Sequence, residues 1–228
     1  MAGSIIDYAS LQTAVANWMT RAGNADLLAN VPDFILFAEA RINFGIEDQE
    51  FPSPPLRVQQ MEVTSFTLVL PNSTNTAVLP ADFLELRRLY YYQGSQGSRK
   101  SKLTYATPNE LDSAYGSFPV GPQAFYTIAG GAILLANNVN TTTTIIGGYY
   151  QKLPALSTSN TVNWLLQQHP GMYLAGACLE ASIFVGDDNE ARKWARMFTG
   201  HTRAFQKQDL KAKYSGDVMQ MKTDVGNP

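Results

Sequence analysis

Apolar positions recur with helical spacing at both ends of the chain and with strand spacing through its middle. Near the N-terminus Leu11, Ala14, Val15 and Trp18 fall at i, i+3, i+4 and i+7, which predicts a helix over residues 7–20. Asp7 or Ser10 supplies its cap, and Gly23 and Asn24 break it. A second helix is expected to start near Val31-Pro32-Asp33, because proline suits a first turn and an aspartate suits the positive end of the helix dipole. Phe34, Phe37, Ala38, Arg41 and Ile42 continue it, and Gly45 is its expected C-cap.

The run Phe51-Pro52-Ser53-Pro54-Pro55 cannot be helical and marks a boundary. Beyond it the period changes to two. Met61, Val63, Phe66, Leu68 and Leu70 predict a strand, Pro71-Asn72-Ser73 a turn, and residues 77–79 a short strand. Residues 84–92 predict a strand ending in Tyr90, Tyr91 and Tyr92, with Tyr90 and Tyr92 on one face and Tyr91 on the other. A glycine-serine loop follows over 93–98, then a returning strand over 102–105 and a short helix over 108–115 capped by Thr107. Gly130-Gly131 between residues 125–128 and 132–135 is a hairpin signal, and the β-branched and aromatic run 141–150 predicts one more strand.

Residues 154–160 form a second boundary, after which helical spacing returns. A short helix is expected over 164–167, another from Pro170, a turn at Gly186-Asp187-Asp188, and a long helix from Asn189 to about Tyr214. The stretch from Ser215 to Pro228 has little periodicity and reads as a flexible tail. The pattern therefore predicts an α+β protein. A discontinuous helical bundle domain, residues 1–56 and 157–228, is interrupted by an inserted antiparallel β-rich domain over residues 57–156.

Composition agrees with real cores: of 228 residues 45% are hydrophobic and 11% aromatic, which excludes wholesale disorder. A net charge of −2 is too small to imply a strongly charged partner for the molecule as a whole. Cys178 is the single cysteine, so no internal disulfide forms, and its apolar surroundings favour a buried hydrophobe over a reactive thiol. The N-terminus lacks the basic and apolar regions of a signal peptide. The most apolar helix, from Met172 to Val185, is too short to span a bilayer and carries Glu180. The expectation is a soluble protein made in a cytoplasm.

Catalytic and metal-binding patterns are largely missing. His169 and His201 lack metal-ligand spacing, and His169 before Pro170 suits a capping or surface role. Gly130-Gly131 and Gly147-Gly148 read as turns and bulges rather than phosphate cradles. Asp187, Asp188 and Glu190 at a helix start read as caps rather than cation ligands. Glu39 with Glu47 or Asp48 reads as solvated surface rather than an acid–base pair. No cofactor is expected.

Charge asymmetry marks the long C-terminal helix. Arg192, Lys193, Arg196, Arg203, Lys207, Lys211 and Lys213 stand against Glu190 and Asp209. An apolar stripe of Trp194, Met197, Phe198 and Phe205 runs beside them. The basic face, Arg192, Lys193, Arg196 and Arg203, is either a solvated face or a docking surface for an acidic partner or passing nucleic acid. Arg99, Lys100 and Lys102 form a second basic group on a flexible loop and fit a loop tip better than a sequence reader, while the strand tyrosines Tyr90 and Tyr92 fit an interface as well as a core.

Four stretches taken together resemble the head-to-tail adaptor, or connector, proteins of tailed bacteriophages. They are LQTAVANWMTRAGNADLLANVPDFILFAEARIN, LPADFLELRRLYY, LTYATPNEL with GPQAFYTIAGGAILLA, and YYQKLPALSTSNTVNWLLQQHPGMYLAGACLEASIFVGDD. The resemblance reaches to about Arg196 and rests on packing signatures, not catalytic ones. It implies a structural neck component of the virion that assembles as a homo-oligomeric ring, usually of twelve subunits. The ring joins the portal protein to a tail or nozzle protein and passes double-stranded DNA without reading its sequence. The resemblance places portal docking on the C-terminal segment, here Lys207, Lys211, Lys213, Tyr214, Met219, Met221 and Lys222. It leaves Tyr90, Tyr92, Arg99, Lys100 and Lys102 for a subunit or tail interface. The rival readings are a virion-attached receptor- or glycan-binding module and a glycoside hydrolase. The hydrolase would need two carboxylates about 5–10 Å apart in a cleft.

Overall fold

The computed structural model describes residues 5–19, 24–47, 50–92, 100–115, 125–139 and 141–214. It is an α+β protein whose chain divides into two compact units, one of residues 1–59 with 153–228 and one of residues 60–152.

The first unit is helical. Helix α1 (Tyr8–Trp18) starts on a capping box in which Asp7 accepts from the Ser10 N–H while the Ser10 hydroxyl serves the Asp7 N–H. Both residues nominated for the cap thus act in it. Helix α2 (Ala25–Phe44) starts a full two turns earlier than the proline suggests, capped by Asn24. Pro32 and Asp33 lie inside it, not at its start. Pro32 removes the amide that would reach the Leu28 carbonyl. Both residues face solvent, so water can serve that carbonyl. Leu27, Val31, Phe34 and Ile35 hold the opposite face in the core. Gly45, at φ 70°, ends the helix as expected and donates to the Arg41 carbonyl.

Residues 51–55 cross as extended chain, tied by the bridge between Ile46 and Ser53. After residue 153 the chain returns to this unit. Two α2 side chains receive it: Asn43 Oδ1 accepts from the Leu153 N–H at 2.8 Å, and Glu39 Oε1 from the Leu156 N–H at 2.8 Å. Among the described residues the second unit carries helix α3 (Pro108–Tyr115), and three more helices of the first unit follow along the chain. They are α4 (Trp164–Gln168), α5 (Pro170–Val185) and α6 (Asp188–Lys213).

Helix α5 is the centre of the helical unit, buried continuously from Met172 to Leu179. Such a helix has no polar face because α1, α2, α4 and α6 all pack on it. Gly176 permits a close approach of helices: a Cβ there would meet Ala38 Cβ at 2.9 Å and the Phe198 ring at 3.1 Å. Gly186, left-handed at φ 76°, closes α5, and Asp187 caps α6 by accepting from the Glu190 N–H.

Among the described residues the second unit holds two four-stranded sheets. One has the order β1 (Glu62–Leu70), β8 (Thr143–Gln151), β3 (Phe83–Tyr92), β4 (Lys100–Lys102), all antiparallel. The other has the order β2 (Thr76–Val78), β7 (Ala132–Leu135), β6 (Phe125–Ala129), β5 (Thr104–Tyr105). The returning strand expected over 102–105 is two short strands. Leu103 is buried between them, and β5 runs parallel to β6. Met61, expected in the first strand, sits in a single 3-10 turn before it. Gly130 and Gly131, at φ 57° and 74°, make the hairpin turn between β6 and β7. Phe66, Leu70, Leu89, Tyr91, Ile133, Leu135, Ile145 and Tyr149 supply the core of this unit.

Candidate functional site

Helix α6 carries the most charged surface nominated from sequence. Ala191, Trp194, Ala195, Phe198, Thr202 and Phe205 are buried, which fixes the rotation of the helix. Met197, expected in this apolar stripe, is 41% exposed and belongs to the outer surface. At about 100° per residue, Arg192, Arg196, Arg203 and Lys207 fall within about 60° of one another around the axis. Lys193 lies off that stripe, paired to Glu190 at 3.0 Å and set over the Trp194 ring.

The stripe faces a groove of about 1060 Å³. One wall is α6, with Arg192, Arg196, Thr199, Gly200 and Arg203; the other is the end of α2 with Glu47 and Glu50, and the proline segment from Pro52 to Pro55. Hydrogen bonds hold the walls together at its base: Thr199 Oγ1 donates to the Pro52 carbonyl and Gln206 Nε2 to the Pro55 carbonyl. Arg192 pairs with Glu50 at 3.1 Å. Arg196 and Arg203 are exposed and have no carboxylate partner among the described residues. Sequence spacing gave the basic stripe but not the groove, because its walls are about 150 residues apart along the chain.

The last turns of α6 place Lys207, Lys211, Lys213 and Tyr214 in solvent, with Tyr214 52% exposed. Met219, Met221 and Lys222 lie outside the described residues, as do Arg99 and the loop before it. In the sheet unit Tyr90 pairs with Lys102 and Tyr92 with Lys100 across β3 and β4, while Tyr91 is buried on the other face. Tyr90 and Tyr92 are half-buried, and Lys102 is exposed.

Glu39, expected on the surface, is instead 3% exposed in the helical core. Desolvation pushes its carboxyl up to about 7, against the Leu156 N–H and Tyr173 O–H bonds that favour the charged form. The pattern misled because Glu39 sits one position off the apolar stripe, where the returning chain, not water, covers it. Glu47 is exposed, and Asp48 lies outside the described residues. Arg41 and Glu180 form an ion pair in the interior, and Arg41 also donates to the Phe51 carbonyl at 3.0 Å.

His169 makes no side-chain cap. Its ring rests on Phe205 at 3.9 Å, and burial with the neighbouring His201 lowers its pKa. Burial pushes the Cys178 thiol up to about 12, which makes it inert. Gly147 and Gly148 lie where β8 shifts register against its neighbours. Among the described residues no three His, Cys, Asp or Glu side chains gather to hold a metal ion, and no helix is long and apolar enough to cross a membrane.

The SU10 adaptor protein family model matches residues 6–221, and the chain belongs to that phage head–tail adaptor family. It is thus a structural adaptor and a component of the virion. Comparison with curated proteins gave no match.

Proposed function

We propose that the protein assembles as a ring at the virion neck, joins the portal to the tail or nozzle, and passes double-stranded DNA through its lumen. The observation that carries this reading is the family match over nearly the whole chain. A ring needs heterologous contacts that close on themselves, and two units give each subunit two places to make them. We assign the helical unit to the portal side and the sheet unit to the tail side, as the two domains of the subunit, in a ring of twelve. The exposed end of α6, Lys207, Lys211, Lys213 and Tyr214, with Met219, Met221 and Lys222 beyond it, docks on the portal. Tyr90, Tyr92, Arg99, Lys100 and Lys102 serve a subunit or tail contact.

Passage, rather than capture, of DNA fits a chain of net charge −2, since each neutralised phosphate adds affinity and salt dependence. Two of the four arginines and lysines nominated as the basic face, Arg192 and Lys193, are already paired to carboxylates. The direct test is co-sedimentation with the portal of the same phage, comparing the full chain with a chain ending at Tyr214. The full chain is expected to sediment with the portal and the shortened one to do so weakly while keeping its helical circular dichroism. Equal sedimentation of both would remove the tail from the docking surface, and no sedimentation of either would overturn the portal reading.

A further inference from the structure

We infer that the groove between α6 and the proline segment binds an acidic peptide segment of another protein, extended as a polyproline-type helix with two carboxylates three residues apart. Arg196 and Arg203 are separated by seven residues of one helix, a rise of about 10.5 Å. They lie within about 20° of each other around its axis, so both side chains project into the same groove. A polyproline-type helix has about three residues per turn and rises about 3.1 Å per residue, so carboxylates at i and i+3 share one face about 9 Å apart. That spacing matches the two arginines, whose planar guanidinium groups take carboxylates in paired hydrogen bonds.

Between the arginines, Thr199 and Gly200 keep the wall low, and the opposite wall offers Phe44, 61% exposed, beside Pro52 and Pro55. Apolar residues between the two acids would rest there. Charge complementarity selects this occupant over DNA. The groove also carries Glu47 and Glu50, which repel a continuous run of phosphates. A peptide can place its two charges at Arg196 and Arg203 and leave Glu50 to its existing partner Arg192. The inference stands on the helical unit alone. It adds a partner chemistry to the adaptor reading without depending on ring formation.

The test uses the full chain and a fluorescein-labelled peptide, Pro-Glu-Pro-Leu-Glu-Pro, followed by anisotropy. Saturable binding is expected, lost when both glutamates are replaced by glutamine and weakened at least about tenfold in an R196Q/R203Q double variant. Because both arginines are exposed and have no carboxylate partner among the described residues, unchanged circular dichroism and melting of that variant would show that the fold is retained. F44A is expected to weaken binding as well, with no change in its salt dependence. Binding that ignores the arginines or the glutamates would overturn the inference. So would displacement of the peptide by a short DNA duplex that requires the same arginines, which would make the groove a nucleic-acid face. Failure here would leave portal co-sedimentation intact, so the two readings fail separately.

Discussion

Glu39 on α2 accepts a hydrogen bond from the hydroxyl of Tyr173 on α5 at 3.0 Å, inside the core of the helical unit. Tyr173 in turn accepts from Asn163, the cap of α4, and the same Glu39 oxygen takes the Leu156 N–H. One carboxyl therefore joins α2, α5 and the returning chain. It does so at the cost of a buried titrating group.

That cost gives a pH dependence with a defined sign. The folded pKa of Glu39, about 7, lies above its ordinary value of 4.5. Its contribution is fully present below about pH 4.5 and is lost as pH rises through about 7, a difference of about 3 kcal/mol. His169 acts oppositely: its pKa is lowered, so its contribution is present above its ordinary value of 6.5 and is lost on acidification. Comparing E39Q with the parent isolates the first effect. Denaturant titrations at pH 5 and pH 8 are expected to show a smaller difference in E39Q, because glutamine keeps an acceptor and cannot ionise. An unchanged difference would place the titration elsewhere.

Arg41 and Glu180 are paired in the interior, with side chains 5% and 12% exposed. Replacing Arg41 by methionine strands the carboxylate and leaves the Phe51 carbonyl without its donor. R41M is expected to lose about 3–5 kcal/mol, and R41M/E180L to recover a substantial part of it. Urea denaturation of the two variants measures the difference, and a double variant no better than the single would show that the pair contributes mainly through packing.

Gly147 is the tightest of the described glycines of the sheet unit. A Cβ there would meet the Arg88 carbonyl at 2.6 Å and the Phe66 ring at 2.6 Å. Because one neighbour is backbone of the adjacent strand β3, relief requires moving that strand, and G147A is expected to cost about 1–3 kcal/mol. G130A probes a different property, since a Cβ there meets nothing and the strain comes from φ 57° alone. Denaturation followed by tyrosine fluorescence compares the two.

The elements were legible wherever local chemistry decides them. The Gly130-Gly131 turn, the Thr107 cap of α3 with its Glu110 partner, and the Pro170 start of α5 are each fixed by a few neighbouring residues. The start of α2 differs from the expectation because Pro32 normally opens a helix, whereas here it sits in the third turn, on the solvent-exposed face it shares with Leu28. Glu39 was misread because its cover arrives from Leu156 and Tyr173, far along the chain. The basic stripe was visible in the spacing of α6, but the groove beside Arg196 and Arg203 depends on a proline segment that only the fold brings there.

Ring assembly on the portal is the claim on which the proposed function turns. Light scattering of the purified protein, alone and mixed with its portal, followed by electron microscopy of the mixture, measures it directly. A mass near 25.0 kDa alone that becomes a closed ring capping the portal is the expected result, and a ring without portal would agree equally. A protein that stays monomeric and leaves the portal bare would contradict the account.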